Sequence, residues 1–384
     1  MAGTRWTTTT VVGVLLLGAL GGCSQDSSDS GREGTGEGGR TQGRATSQRP
    51  FTLVATGDII PYPSIMEQAR RDGGDGGHDF RPMFSGVKPV ISRADVALCH
   101  METPYGAPGD HFTGYPMFKS PPQLAGALAD TGYDSCSTAS NHSLDAGPKG
   151  VGRTLDALDR AGVAHTGTAR NRREATRPAV VKVGKDGPRV AHLSYTYGTN
   201  GVPTPEGKPW MVRKLKADRV IADARAARRA GADVVVVSPH WGTEWQQRPD
   251  AQQRELARRL TASRTDGRPD VDLVVGTHNH VPQPYEKVNG TWVVYGLGDQ
   301  VASFVPEMYR GNEGSMARFT FAPPGERGGR WTVRRAEYLV SHSDTGPPFR
   351  VVRATKDRFP QVHSRVREAV LSRGAGQQGL REAR

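Results

Sequence analysis

The chain is 384 residues long and carries 51 lysines and arginines against 39 acids, a net charge of +12, with three cysteines. Three cysteines leave little room for a disulfide framework, no internal repeat is present, and nothing besides the charge resembles nucleic-acid recognition. What remains is a chain long enough for one large α/β domain with a substantial core.

Arg5 is followed by an apolar run from Val11 to Leu20 and then Gly21-Gly22-Cys23. A basic start, a short apolar core and small residues describe a secretory signal over residues 1–22, too short to span a membrane. Leu20-Gly21-Gly22-Cys23 also resembles a bacterial lipobox. It implies cleavage before Cys23 and lipidation of that residue, placing the protein at the extracellular face of the cell membrane. Residues 23–49 are Ser, Gly, Asp, Glu, Thr and Arg with almost nothing apolar, so they bury too little to offset ordering entropy and read as a flexible tether.

Residues 50–345 alternate hydrophobic runs with helical stretches. Five runs end at polar or ionisable residues: Leu53 to Asp58, Val96 to Glu102, Tyr133 to His142, Val234 to His240, and Leu273 to His280. Helices are predicted over 155–161, 215–230 and 251–260. Gly162 and Gly231 stop the first two, and each helix is followed by another run. That rhythm marks βαβ units with mostly parallel pairing. Asp186-Gly187 and Asn289-Gly290 instead favour hairpins before Arg189 to Tyr197 and Thr291 to Tyr295. A mixed sheet, or two packed sheets with helices outside, follows.

In open α/β sheets, groups that work on a ligand sit just beyond the carboxyl ends of the strands. The five endings therefore predict one pocket holding Asp58, Glu102, Asn141, His142, His240, His278 and His280. Mixed oxygen and imidazole donors suit a borderline divalent metal better than a nucleophilic triad. His142 carries an imidazole, the side chain most often used for proton transfer near neutral pH, and is suited to protonate a leaving group. His278 and His280 point to opposite sides if extended, so either the loop bends or they serve different metals or roles. Trp241, Trp245 and Lys119 are further candidates to line the cleft.

Gly57-Asp58, Glu102-Thr103-Pro104, Ser140 to Gly147, His240-Trp241-Gly242-Thr243-Glu244, Gly276 to Gln283 and Tyr295 to Asp299 follow one another as in the CapA family, which this chain resembles from about Phe51 to about Phe321. These are poly-γ-glutamate capsule synthesis proteins of metallophosphoesterase-like fold. The resemblance implies an α/β/β/α sandwich of the metallo-dependent phosphatase type. It also implies one or two divalent ions (Mn, Fe or Zn), held by Asp58, Glu102, Asn141, His240, His278 and His280, with His142 as general acid. Metallophosphoesterases usually carry Asp-x-His on the first strand, where this chain has Ile60. His100 stands where the family commonly has Asn, Ser140 replaces the first Asn of Asn-Asn-His, and Gly298-Asp299-Gln300 replaces Gly-Asn-Phe. These departures leave the metal count open.

Two functional readings follow from the resemblance. Either the pocket performs metal-assisted hydrolysis or transfer in making, exporting or anchoring an anionic polymer such as poly-γ-glutamate, or it is a non-catalytic scaffold that grips a polyanion or a membrane synthase complex. Cys99 and Cys136 fall in strands that are candidates for neighbours, and buried free thiols are the expected state, although an exported setting permits a disulfide. Residues 346–384 hold nine Arg or Lys against three Asp or Glu, with Pro347-Pro348 and Gly374-Ala375-Gly376. They read as a loosely ordered basic tail, either drawn to anionic lipid or polymer or simply solvated.

Overall fold

A computed structural model describes residues 48–326 and 329–383. The predicted signal, Cys23 and the tether up to residue 47 lie outside the described residues. Two sheets form the centre. In the first, of nine strands, Phe51–Ile59 lies between Glu313–Ala322, antiparallel to it, and Val96–Met101, parallel to it. Ser135–Ser137 and Ala164–Thr166 extend the parallel side. The second, of six strands, has the parallel core Arg189–Thr196, Val234–His240, Leu273–Val275 and Thr291–Val294. Both predicted hairpins are present: Ala179–Lys182 pairs antiparallel with Arg189–Thr196, and Tyr285–Val288 with Thr291–Val294. In the second hairpin Asn289 and Gly290 both take positive φ, as a tight two-residue turn demands.

Side-chain alternation along these strands creates the layers. Leu53, Ala55, Val96 and Leu98 of the first sheet and Val234, Val236, Leu273 and Val275 of the second share one buried cluster between the sheets. The intervening Val54, Ala97 and Cys99 turn outward, against Ile65 and Ala69 of the Pro63–Gly73 helix and Leu124 and Leu128 of the Gln123–Thr131 helix. Val235 and Val237 pack outward against Val220 and Ala224 of Ala217–Arg229 and Leu260 of Ala251–Ala262. The result is the four-layer α/β/β/α sandwich. The predicted helix at 155–161 is the end of a longer one, Gly147–Ala161, closed by left-handed Gly162.

Two expectations are corrected. Cys99 and Cys136 form a disulfide, not free thiols: they sit directly opposite on adjacent parallel strands, Cα atoms 4.5 Å apart. Nor is the predicted tail loosely ordered over its described residues, 346–383. Arg350–Arg353 pairs with residues 341–344, Leu380–Glu382 pairs with 336–338, and Val362, Val366 and Val370 of the Pro360–Leu371 helix enter the core between the sheets. Several of the basic side chains are held in ion pairs, Arg350 with Asp72, Arg365 with Glu313 and Arg373 with Glu286.

Candidate metal centre

The carboxyl ends of the parallel strands of both sheets meet at one edge, which is where the predicted site residues collect. Asp58 reaches this pocket through an irregularity. Ala55 pairs with Leu98 but Asp58 with His100, so the first strand carries one extra residue and Asp58 comes to the side of Leu53 and Ala55. Gly57 allows it, since any Cβ there would strike the carbonyl of Gly298. That close approach, with the Asp58 amide donating to Gly298 O at 3.1 Å, brings Asp299 directly opposite Asp58.

Donor atoms of Asp58, His100, Glu102 and His240 all lie within 4.8 Å of one another, and those of Asp58, His280 and Asp299 form a second such group. Asp58 belongs to both. His100 Nε2 is 3.6 Å and His240 Nδ1 3.9 Å from Asp58 Oδ1, while His240 Nε2 is 3.8 Å from Glu102 Oε1 and His280 Nδ1 3.0 Å from Asp299 Oδ1. All six residues are buried.

Several of these atoms have no hydrogen-bond partner in the protein: Asp58 Oδ1, His100 Nε2, both Glu102 oxygens and Asp299 Oδ2. Buried, unpaired carboxylate and imidazole atoms aimed at one another are costly unless something positive lies between them. The protonation states agree. Burial first, then the charge of Asp299, pushes Asp58 up to about 8, and Glu102 is raised for the same leading reason. Burial lowers His100 to about 3 and pulls His240 and His278 down, which leaves them neutral and ready to ligate. The residues present therefore fit a divalent cation at either group, although at the second His280, lowered by burial but raised on balance to about 10 by Asp299, must give up its proton to ligate.

Of the predicted ligands, Asp58, Glu102, His240 and His280 contribute donors to these groups. Asn141 borders them, its Oδ1 2.8 Å from His240 Nε2. His278 lies beside them, its ring 4.7 Å from that of His240 and its Nδ1 buried without a partner. The loop does bend: His278 and His280 both adopt positive φ, so the two imidazoles share one side instead of opposing faces. His142 lines the adjoining cavity. Its Nδ1 donates to Asp145 Oδ2 at 2.6 Å, and the Phe118 amide donates to the same oxygen at 2.8 Å. Nε2 is thus the nitrogen left to exchange a proton. Trp245 lines the cavity as predicted, whereas Trp241 is core, donating to Tyr295 O, and Lys119 pairs with Asp110.

His100 and Asp299 were not foreseen as ligands. For His100 a signal existed, because Val96, Leu98, His100 and Glu102 share one parity and hence one face of the strand. For Asp299 none did, because its position depends on the backbone contact of Gly57 with Gly298.

These features define a four-layer α/β/β/α protein with a buried acid and imidazole centre at its strand ends. The family described as bacterial capsule synthesis protein PGA_cap matches residues 52–303, and the chain belongs to it. Among curated relatives, a probable polyglutamine synthesis accessory protein of Mycobacterium tuberculosis is 32% identical over 55% of this chain and 56% of its own length. Capsule biosynthesis protein CapA of Bacillus anthracis is 25% identical over 65% and 59%, and PGA biosynthesis protein CapA of Bacillus subtilis is 26% identical over 64% and 61%. The matches thus span less than two thirds of each relative. Similar solved structures include a 5'-nucleotidase precursor from Thermus thermophilus, at 18% identity, TM-score 0.43, 86% of this chain and 59% of that one. Another is the calcineurin-like phosphoesterase YfkN of Bacillus subtilis, at 14% identity, TM-score 0.42, 84% and 98%.

Proposed function

We propose that this chain is a lipid-anchored protein at the extracellular face of the cell membrane. It acts in the biosynthesis, export or anchoring of an anionic capsule-like polymer such as poly-γ-glutamate, by metal-dependent hydrolysis or transfer. The names of the curated relatives, which refer to capsule, PGA and polyglutamine synthesis, support the polymer, and Leu20-Gly21-Gly22-Cys23 supports the anchor. The observation that carries the chemistry is the set of unpartnered buried donors on Asp58, His100, Glu102 and Asp299, next to a histidine oriented by a carboxylate. Ile60 stands where metallophosphoesterases usually carry a first-strand histidine, but His100 on the neighbouring strand supplies an imidazole beside Asp58.

Asp58, His100, Glu102 and His240 would hold one Mn, Fe or Zn ion, and Asp58, His280 and Asp299 a second. When bound, such an ion supplies Lewis acidity and neutralises developing negative charge. Asp145 fixes the His142 ring by holding Nδ1, so that a proton carried at Nε2 is presented to the cavity and can pass to a departing oxygen or nitrogen. Glu102 and His280 share that cavity, which places the proton donor beside the metal-ligand groups.

Reconstituted full-length protein should contain Mn, Fe or Zn by elemental analysis, with less in His240→Ala. His142→Ala should keep its metal while hydrolysis of a model phosphodiester or a γ-glutamyl oligomer slows by roughly 10²–10⁴-fold. Metal-free protein after reconstitution, or full activity in His142→Ala, sinks this reading.

A further inference from the structure

The walls above the centre are of a different chemistry from the centre itself. A cavity of about 460 Å³ opens over Glu102, His142 and His280, and no lysine or arginine lines it. Its remaining surface is largely Tyr62, Tyr115, Phe118, Trp245, Phe304 and Val305, with Met308 at the rim and Glu244 as a second acid. Most proteins cover such groups. Here Tyr115 is 76% exposed, Val305 57% and Met308 38%, and Met117 and Tyr309, on the same two segments, are exposed as well. Among the described residues, three of the seven large exposed hydrophobics therefore line this one opening and two more flank them in the chain, and a concentration of that kind marks an interaction site.

Charge and shape narrow the ligand. A polyanion threaded through the opening would set its carboxylates against apolar wall and against Glu102 and Glu244, with no cationic side chain to pair them. Only the floor, with its imidazoles and metal-ligand groups, suits an anion. Phe304 meets Tyr62 at 63° and Trp245 at 87°, edge to face, so these rings offer no parallel slot for a flat aromatic base. Val305, Met308 and Ile60 add aliphatic surface, suited to a flexible hydrocarbon. Trp245 carries the wall down to the centre, its ring 5.4 Å from that of His280.

We propose that the group bound at this centre is the phosphate head of a lipid phosphate, whose hydrocarbon chain lies along the Tyr115, Trp245, Phe304, Val305 and Met308 wall. The assignment rests on the proposed metal centre and names the substrate class it serves: a single amphiphile, not the polymer backbone.

Calorimetric titration of metal-loaded, full-length protein with inorganic phosphate, butyl phosphate, octyl phosphate and octanol, all below micelle-forming concentrations, tests it. Affinity should rise from phosphate to butyl to octyl phosphate, by up to about fourfold for each methylene that reaches the wall. Octanol should bind at least about tenfold more weakly than octyl phosphate. The double variant Val305→Ser/Met308→Ser alters only exposed side chains. It should lose about tenfold or more for octyl phosphate while keeping its affinity for inorganic phosphate. Binding of phosphate without chain-length dependence, or octyl phosphate affinity unchanged in the double variant, overturns this proposal and leaves the metal centre standing. Octanol binding as tightly as octyl phosphate overturns the head-group assignment. If metal-loaded protein binds neither phosphate nor its esters, the chemistry proposed for the centre fails, and this proposal fails with it.

Discussion

Asp58 is the residue on which the centre turns, since it alone belongs to both donor groups. Stripped of metal, its carboxyl is raised to about 8, so its contribution to stability is greatest at low pH and is lost as pH rises toward 8. His280 behaves in the same direction. Burial lowers its pKa, but the adjacent Asp299 outweighs that and pushes it up to about 10, so its contribution is complete below 6.5 and declines above. His100, His240 and His278 have lowered values, and their contributions are complete above 6.5 and lost only below it. Between pH 6.5 and 8 every changing contribution therefore points downward. In excess chelator the thermal midpoint should fall as pH rises from 6.5 to 8, and added metal should raise it most at pH 8, where the carboxylates are most ready to bind. A flat or rising chelator profile would contradict the placement of these groups.

Among the elements, the strand pair Val96–Met101 and Ser135–Ser137 does two things. It presents His100 to the pocket, with Nδ1 held 2.7 Å from Ser137 Oγ, and it joins Cys99 to Cys136 on its other face. The bond closes a loop between residues separated by 37 in sequence, for which chain entropy gives about 4 kcal/mol of stabilisation. Cys99→Ala/Cys136→Ala should accordingly lose roughly 2–4 kcal/mol in equilibrium denaturant unfolding. Because His100 lies next to Cys99 in the chain, weaker metal binding should accompany the loss. A double variant as stable as wild type would mean that the bond contributes nothing to the fold.

For the whole molecule, the last forty residues matter out of proportion to their composition. Val362, Val366, Val370 and Leu380 are buried in the core between the sheets. At roughly 1.5–3 kcal/mol for each buried aliphatic side chain, they contribute an amount comparable to the entire stability of a typical domain. A chain ended after Gly346 should therefore fail to fold, shown by loss of near-ultraviolet circular dichroism and rapid proteolysis, instead of merely losing a charged appendage. A well-folded truncated protein would refute that accounting. Membrane attachment is a separate property. Cys23→Ala should shift the protein from the membrane to the soluble fraction, and unchanged retention after detergent-free washing would count against a lipid anchor.

Much was legible without coordinates. The four-layer sandwich is implied only by the family resemblance, whereas sheets with helices outside, both hairpins and the pocket edge follow from local facts, namely hydrophobic periodicity, Gly-terminated helices and polar residues at strand ends, and local facts are written in the chain. Four of the six predicted ligands, Asp58, Glu102, His240 and His280, meet in the donor groups for that reason. His100 is hidden because a histidine inside a strand departs from the family motif, and only the face it shares with Val96, Leu98 and Glu102 marks it as a ligand. Asp299, the Cys99–Cys136 bond and the role of the C-terminal helix escaped for a common physical reason. Each depends on which distant segments touch: Gly57 against Gly298, one parallel strand in register with the next, and a helix rich in arginine whose few valines lie on one face. Composition dominated by charge concealed that face. Only packing selects among the many long-range pairings the same local pattern allows, and here it put a second acid opposite Asp58 and built the end of the chain into the core.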